Sequence, residues 1–378
     1  MTSAVRRSGS LYPLIGLLFI ARGVEFTATC VAADTDQLPA KTAAAIDRAV
    51  KGEMQKEQLV GVAIGVIQQG RIVYTQGYGF ADRERATPVT RDTVFNWASN
   101  SKPLAAVAAM QLVEQGQLKL DEDVRHYVPE FPDKGRKITV RQLLCHQSGI
   151  PHYANGKIIP TNRQYSEPDP FMNPVLALDR FNKSPLLFHP GEKYSYSSYA
   201  YVLLSAVLQQ AGKQPLIEQI EARIAKPLDM KSLQLDIGTQ LKDHWATGYK
   251  KNDQGKVIST PPEAAYWKQG AGGFKSNVDD FARFAAGLIN RSLVSAEMEA
   301  QMWQPQSTSD GKPTECGLGF FIAEQGGLKV SHNGEQTGVA TRLVIYPRGK
   351  NGVVVMCNCG FANPGKISTA IYSELNRK

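Results

Sequence analysis

Strand-forming runs occur at both ends of this 378-residue chain and fade between them. Residues 62–67 and 72–75 are short apolar runs joined at Gln69-Gly70, which is a hairpin signal. Far along the chain, residues 317–322, 328–331, 341–346 and 352–358 also read as strands. Neighbouring strands with short turns predict an antiparallel sheet. The stretch between them, from about residue 117 to 249, is then an insertion packed against one end of that sheet. Helices are expected over 37–56, where Ile46, Val50 and Met54 step by four, and over 366–375. The fold class is therefore α+β: an antiparallel sheet flanked by terminal helices, with an inserted all-α lobe. Within one domain over 34–378, the sheet-bearing lobe takes about 37–98 and 270–378, and the mainly helical lobe about 99–269.

The middle of the chain reads as helix and loop. Residues 139–144 form a short helix, 153–174 a long polar loop, and 200–211 a helix stopped by Gly212. Residues 77–82 are expected to break the second strand, and 270–274 to form a glycine-rich loop before a helix at 279–288.

The formal charge of +8 is spread without a dense Lys/Arg run, which argues against nucleic acid as a partner. Arg6 and Arg7 precede an apolar run over 11–20, and Val31-Ala32-Ala33 is a plausible cleavage site. Residues 1–33 therefore read as an export signal, too short to span a bilayer, and the mature protein is expected in the periplasm or outside the cell. Removing that piece leaves a charge of +6. Cys30 leaves with it. Cys145, Cys316, Cys357 and Cys359 are read as buried thiols, because no ligand spacing supports a metal site.

Ser99 sits where a loop feeds a helix. Leu104, Val107, Ala108, Gln111 and Leu112 recur at helical spacing, and Gly116 stops the run. Lys102 follows three residues later, and side chains three apart on a helix are neighbours. A neutral amine beside a hydroxyl can take its proton, provided burial or nearby positive charge lowers the lysine pKa. That is the chemistry of an S-x-x-K nucleophile. The spacing alone is unspecific: on the order of one such match arises by chance at ordinary lysine content. The alternative at Ser99 is a helix N-cap beside a solvated lysine. A second match, Ser309 and Lys312, falls in a turn-rich stretch with no helix to align the pair.

Further segments agree with a known pattern in order and spacing. They are Gly77-Tyr78-Gly79, Ser99 to Lys102, Leu143-Leu144-Cys145-His146-Gln147-Ser148-Gly149, Pro190-Gly191 with Tyr196-Ser197, Gly272-Gly273, and His332-Asn333-Gly334 ahead of Gly338. With them the chain resembles the serine β-lactamase and penicillin-binding-protein superfamily, nearest its class C-like esterase and peptidase branch, over most of residues 45–360. The resemblance implies a β-lactamase/transpeptidase-like fold with Ser99 as the acylated nucleophile. Lys102 would share its proton with Tyr196, the tyrosine of the Y-x-N motif, so that either a tyrosinate or a neutral lysine acts as base. The alternative for Tyr196 is a packed aromatic in a run with Tyr194, Tyr199 and Tyr201. Backbone N–H groups of Ser99 and Glu335 would form the oxyanion hole. Ser198, His332, Asn333 and Gly334 would contact substrate.

Two positions depart from the pattern. Ser198 replaces the Y-x-N asparagine and lacks its amide. His332 replaces the K-T-G lysine, and a histidine is mostly neutral near pH 7. Arg342 is a substitute cation on the next strand, with a solvated strand residue as the stronger expectation. His146 is read as a hydrogen-bonded packing residue.

The leading functional expectation is an exported serine hydrolase that opens esters or amides through an acyl-enzyme. It would need no cofactor or metal, act on a small molecule or peptide, and keep no membrane span once the signal is removed. Esters and D-amino-acid peptides are preferred over β-lactams because His332 replaces lysine. The alternative is a non-catalytic cell-wall or peptide-binding module, with Ser198 and His332 as its support. No G-x-S-x-G elbow and no glycine-rich phosphate loop occur.

Overall fold

The computed structural model describes residues 38–166, 168–238 and 244–377. The segment expected to be an export signal, with Cys30, lies outside the described residues. The architecture is α+β, built on a seven-stranded antiparallel sheet. Its strands are β1 (Gly61–Gln68), β2 (Arg71–Asp82), β3 (Thr87–Pro88), β4 (Phe321–Ala323), β5 (Lys329–Gln336), β6 (Val339–Tyr346) and β7 (Asn351–Cys357). The spatial order is β3-β2-β1-β7-β6-β5-β4. The two ends of the chain therefore meet at β1 and β7, where Val62 faces Cys357 and Ile67 faces Gly352.

Helices cover both faces of this sheet, which is why β1 and β7 are nearly continuous apolar runs. On one face lie α1 (Ala40–Glu57) and α5 (Pro364–Leu375). Ile46, Val50, Ile367 and Ile371 pack there against Val62, Ile64, Val66, Val353 and Val355. Full burial of each such side chain contributes roughly 1.5–3 kcal/mol. On the other face Ala63, Ile67, Leu343, Val354 and Met356 meet Phe281 and Phe284 of α4 (Val278–Ile289). Gly65 lets α4 approach: a Cβ there would lie 2.9 Å from that of Ala282. Asn277 caps α4 by accepting the Asp280 N–H.

The central section supplies α2 (Ser101–Glu114) and α3 (Ser198–Gly212). Every residue of α2 from Ser101 to Leu112 is buried, so the helix is enclosed on all sides. Its spacing alone predicts one apolar stripe, but its alanines let neighbours close in all round. The four cysteines among the described residues are buried free thiols.

Three expectations are corrected. The segment 77–82 does not break β2 but belongs to it. Gly77 and Gly79 serve close approach there: a Cβ would lie 2.5 Å from the Val89 oxygen and 2.1 Å from the Val60 oxygen. The glycine-rich 270–274 is not a loop. It is a helical turn, Gln269–Gly272, followed by the strand Phe274–Ser276. Residues 317–320 are not strand; they bend, with Gly319 at φ +86°, and β4 starts at Phe321.

Candidate active site

Ser99 lies in a one-turn 3-10 helix, Ala98–Asn100, that runs directly into α2. The preceding residue, Ala98, has φ 48°, a left-handed conformation that disfavours a side chain by about 1–3 kcal/mol. Anchors on both sides hold it. The Ala98 N–H donates to Asn96 Oδ1 (2.7 Å), and the Trp97 indole N–H donates to Ser276 Oγ (2.7 Å). The Trp97 ring packs 4.5 Å from Phe281 and 5.6 Å from Phe284. Thr341 of β6 donates to the Trp97 carbonyl at 2.8 Å. Gly334 of β5 lies directly against the turn, since a Cβ there would fall 2.3 Å from the Trp97 oxygen. Gly334 thus fits the turn to the sheet, behind the cleft wall.

Lys102 is fully buried at the start of α2. Its Nζ lies 3.1 Å from Ser99 Oγ, 3.1 Å from Ser198 Oγ and 2.7 Å from the Ala271 carbonyl oxygen. Burial, reinforced by the charge of Lys268, pushes its pKa well below the ordinary value of 10.5. A neutral amine has two N–H donors and one lone pair. As an ammonium it donates to all three oxygens; once neutral, with its N–H groups on Ala271 O and Ser198 Oγ, its lone pair can accept from the Ser99 hydroxyl. The shorter side chain of Ser198 therefore holds the lysine.

Tyr196 stands just ahead of α3, its ring centre 4.9 Å from Lys102 Nζ. Burial raises its pKa, and the Ser99 hydroxyl acts in the opposite direction. Burial thus disfavours the tyrosinate and favours the neutral lysine, so of the two expected bases the amine is the better supported. Residues 146–152 clamp the tyrosine in place. The Ser197 N–H donates to His146 Nδ1 and the Ser198 N–H to His152 Nδ1, both at 3.1 Å. The Tyr196 ring sits 4.3 Å from that of His146 and 5.5 Å from that of His152. Ser197 caps α3 through the Ala200 N–H at 3.0 Å.

A cleft of about 1000 Å³ opens onto these groups. Its wall includes Ser99, Tyr196, Ser198, His332, Asn333 and Glu335. Hence the hydroxyl, the phenol and the strand bearing the proposed second oxyanion donor share one cavity. His332 is buried and its Nδ1 lies 2.6 Å from the Asn333 carbonyl oxygen. A carbonyl only accepts, so Nδ1 carries the proton and Nε2 is left as an acceptor. Burial drives the pKa of this ring down to about 3. No cation stands at the K-T-G position. Arg342 is no substitute, because its guanidinium is hydrogen-bonded to the Asn333 side chain. Leu343 and Ile345 face α4 and Val344 the terminal helices, which puts Arg342 on the terminal-helix face.

His152, Tyr153 and Lys268 also line the cleft, and no local spacing marks them. Only their tertiary neighbours do. The Ser309–Lys312 pair lies in a turn, as its composition predicts. Among the described residues no cluster of His, Cys, Asp and Glu fits a metal ion, and no helix is long and apolar enough to cross a membrane.

A family model described as Beta-lactamase matches residues 46–375. "Protein flp" of Staphylococcus aureus (strain N315) is 26% identical over 320 residues, covering 83% of this chain and 62% of that protein. The chain thus spans less than two thirds of that relative. The human "Serine beta-lactamase-like protein LACTB, mitochondrial" is 25% identical over 415 residues, covering 83% of this chain and 76% of that protein. The D-amino acid amidase of Ochrobactrum anthropi SV3, complexed with L-phenylalanine amide, is similar in structure. Its TM-score is 0.74 at 20% identity, with 89% of this chain and 99% of that chain covered. At that identity the likeness is one of fold.

Proposed function

The chain belongs to the beta-lactamase family, and we propose that it is a serine hydrolase cleaving an ester or amide bond through an acyl-enzyme on Ser99. The observation that carries this reading is the Lys102 amine, buried, held by two acceptors and 3.1 Å from the Ser99 hydroxyl. Ser99 Oγ attacks the substrate carbonyl carbon while its proton passes to Lys102 Nζ. The negative charge that develops on the carbonyl oxygen is met by the backbone N–H groups of Ser99 and Glu335. As the carbonyl re-forms, the bond to the leaving group breaks. Lys102 returns the proton to that group by way of the Tyr196 hydroxyl. Water then attacks the acyl carbon and gives its proton to the same pair; as the bond to Ser99 Oγ breaks, the pair passes that proton to Oγ, releasing the acid and a free Ser99. With an export signal read over residues 1–33, the proposed place of action is outside the cytoplasm.

A fluorophosphonate probe tests the reading. Wild type is expected to label once and Ser99→Ala not at all. Folded wild type that stays unlabelled would point instead to a non-catalytic binding module. Turnover ranked on a p-nitrophenyl ester, a D-Ala-D-Ala peptide and a cephalosporin then orders the substrate classes. The cephalosporin is expected last.

A further inference from the structure

The cleft wall contains a buried cation that the catalytic steps above do not use as an acid or base. Lys268 is only 8% exposed, yet it lines the cleft that holds Ser99. Among the described residues it has no hydrogen-bond acceptor and no carboxylate at ion-pair distance. Its ammonium lies 5.9 Å from the Trp267 ring centre, and Glu263 on the same cleft is the acid whose charge it feels most. The other buried lysines differ. Lys102 is held by three oxygens, and Lys275 pairs with Asp236 at 2.5 Å. A buried charge with an aromatic ring beside it but no hydrogen-bonded counter-ion is unfavourable unless a ligand or solvent supplies the counter-charge.

Lys268 is also near the reacting end of the cleft, since its charge acts on Lys102. A Cβ on Gly272 would fall 3.5 Å from Lys268 Cε and 3.5 Å from the Ala98 carbonyl carbon. Gly272 thus lies between the lysine stem and the residue that precedes Ser99, in contact range of both. Across the cleft, His332 offers a lone pair and no charge, and Arg342 is committed to Asn333. Lys251, another cleft lysine, lies 4.7 Å from the Phe361 ring centre, and both of these residues line the cleft with Gly360.

Resting on the acyl-enzyme reading, we infer that Lys268 binds a carboxylate of the substrate, so that the enzyme prefers esters or amides carrying a carboxylate close to the scissile bond. The anion is read from the wall formed by the Gln269–Gly272 turn, not from β5.

Matched substrates test this. One pair places the charge on the acyl side: mono-p-nitrophenyl glutarate against p-nitrophenyl butyrate. The other places it on the leaving group: 3-carboxyphenyl acetate against phenyl acetate. Within a pair, any effect of Lys268 on the Lys102 pKa is common to both substrates and cancels in the ratio of kcat/KM. Wild type is expected to favour the carboxylate in at least one pair by about tenfold, the scale of one charge-assisted hydrogen bond. Lys268→Met should bring that ratio close to one, and Lys268→Arg should keep most of it. Ser99-dependent turnover with no carboxylate preference in either pair overturns the inference while leaving the acyl-enzyme reading intact. A preference that survives in folded Lys268→Met overturns it too. Absence of any Ser99-dependent turnover or labelling removes both.

Discussion

The amine of Lys102 stands 3.1 Å from the hydroxyl of Ser99, and no carboxylate among the described residues neutralises it. That combination separates a base from a structural ion pair. Lys102→Met keeps the stem and removes the lone pair. Labelling by the serine probe is expected to slow by roughly 10²–10⁴-fold, the range for loss of a positioned base. Lys102→Arg should be as slow, since a guanidinium does not deprotonate. Labelling rates on variants with native circular dichroism check both.

The pH profile follows from the same amine. Acylation needs Lys102 neutral, so kcat/KM for a neutral ester should rise with pH and level off well below 10.5, the ordinary lysine value. The positive charge of Lys268 contributes to that lowering, after burial. Lys268→Met removes a charge that disfavours protonation of Lys102, so the Lys102 pKa rises and the acid limb moves to higher pH. A limb that stayed in place or moved to lower pH would contradict the coupling.

What the sequence makes legible here is mostly local. Ser99 and Lys102 are one helical turn apart, so their contact is implied by spacing. The role of Tyr196 comes only through the family resemblance, because its place depends on the 146–152 segment folding back onto 195–198. His152 and Lys268 leave no periodic mark, and their neighbours are set by tertiary packing alone. Glycine is misleading in both directions. At Gly77 it reads as a turn, whereas close approach to Val89 requires it inside a strand. At Gly270–Gly272 it reads as a loop, whereas the chain makes a helical turn whose Ala271 carbonyl holds Lys102.

Gly334 ties the sheet to the nucleophile. A Cβ there would fall 2.3 Å from both the Trp97 oxygen and Thr341 Oγ1, one of them backbone. Gly334→Ala must therefore push the Ser99 turn off β5. A loss of about 1–3 kcal/mol in stability is expected, as for other overpacked sites. Probe labelling should fall even where the variant remains folded. Chemical denaturation together with labelling rates measures the two effects separately.

Acid stability gives a further test, with the sign set by burial. His332 has an ordinary pKa of 6.5 and is held at about 3 in the folded chain. His146 is lowered in the same direction, and His152 to about 4. Above pH 6.5 these rings are neutral in both states and stability does not depend on them. Below it the unfolded chain takes up protons that the folded chain refuses, so stability falls as pH drops towards 3. For His332 alone the limiting loss is on the order of 5 kcal/mol, at about 1.4 kcal/mol per pKa unit. His332→Gln removes that titration. Its melting temperature should decline less steeply than that of wild type between pH 6.5 and 4, whatever its value at pH 7. Parallel declines in the two proteins would mean that the ring is not held neutral by its burial.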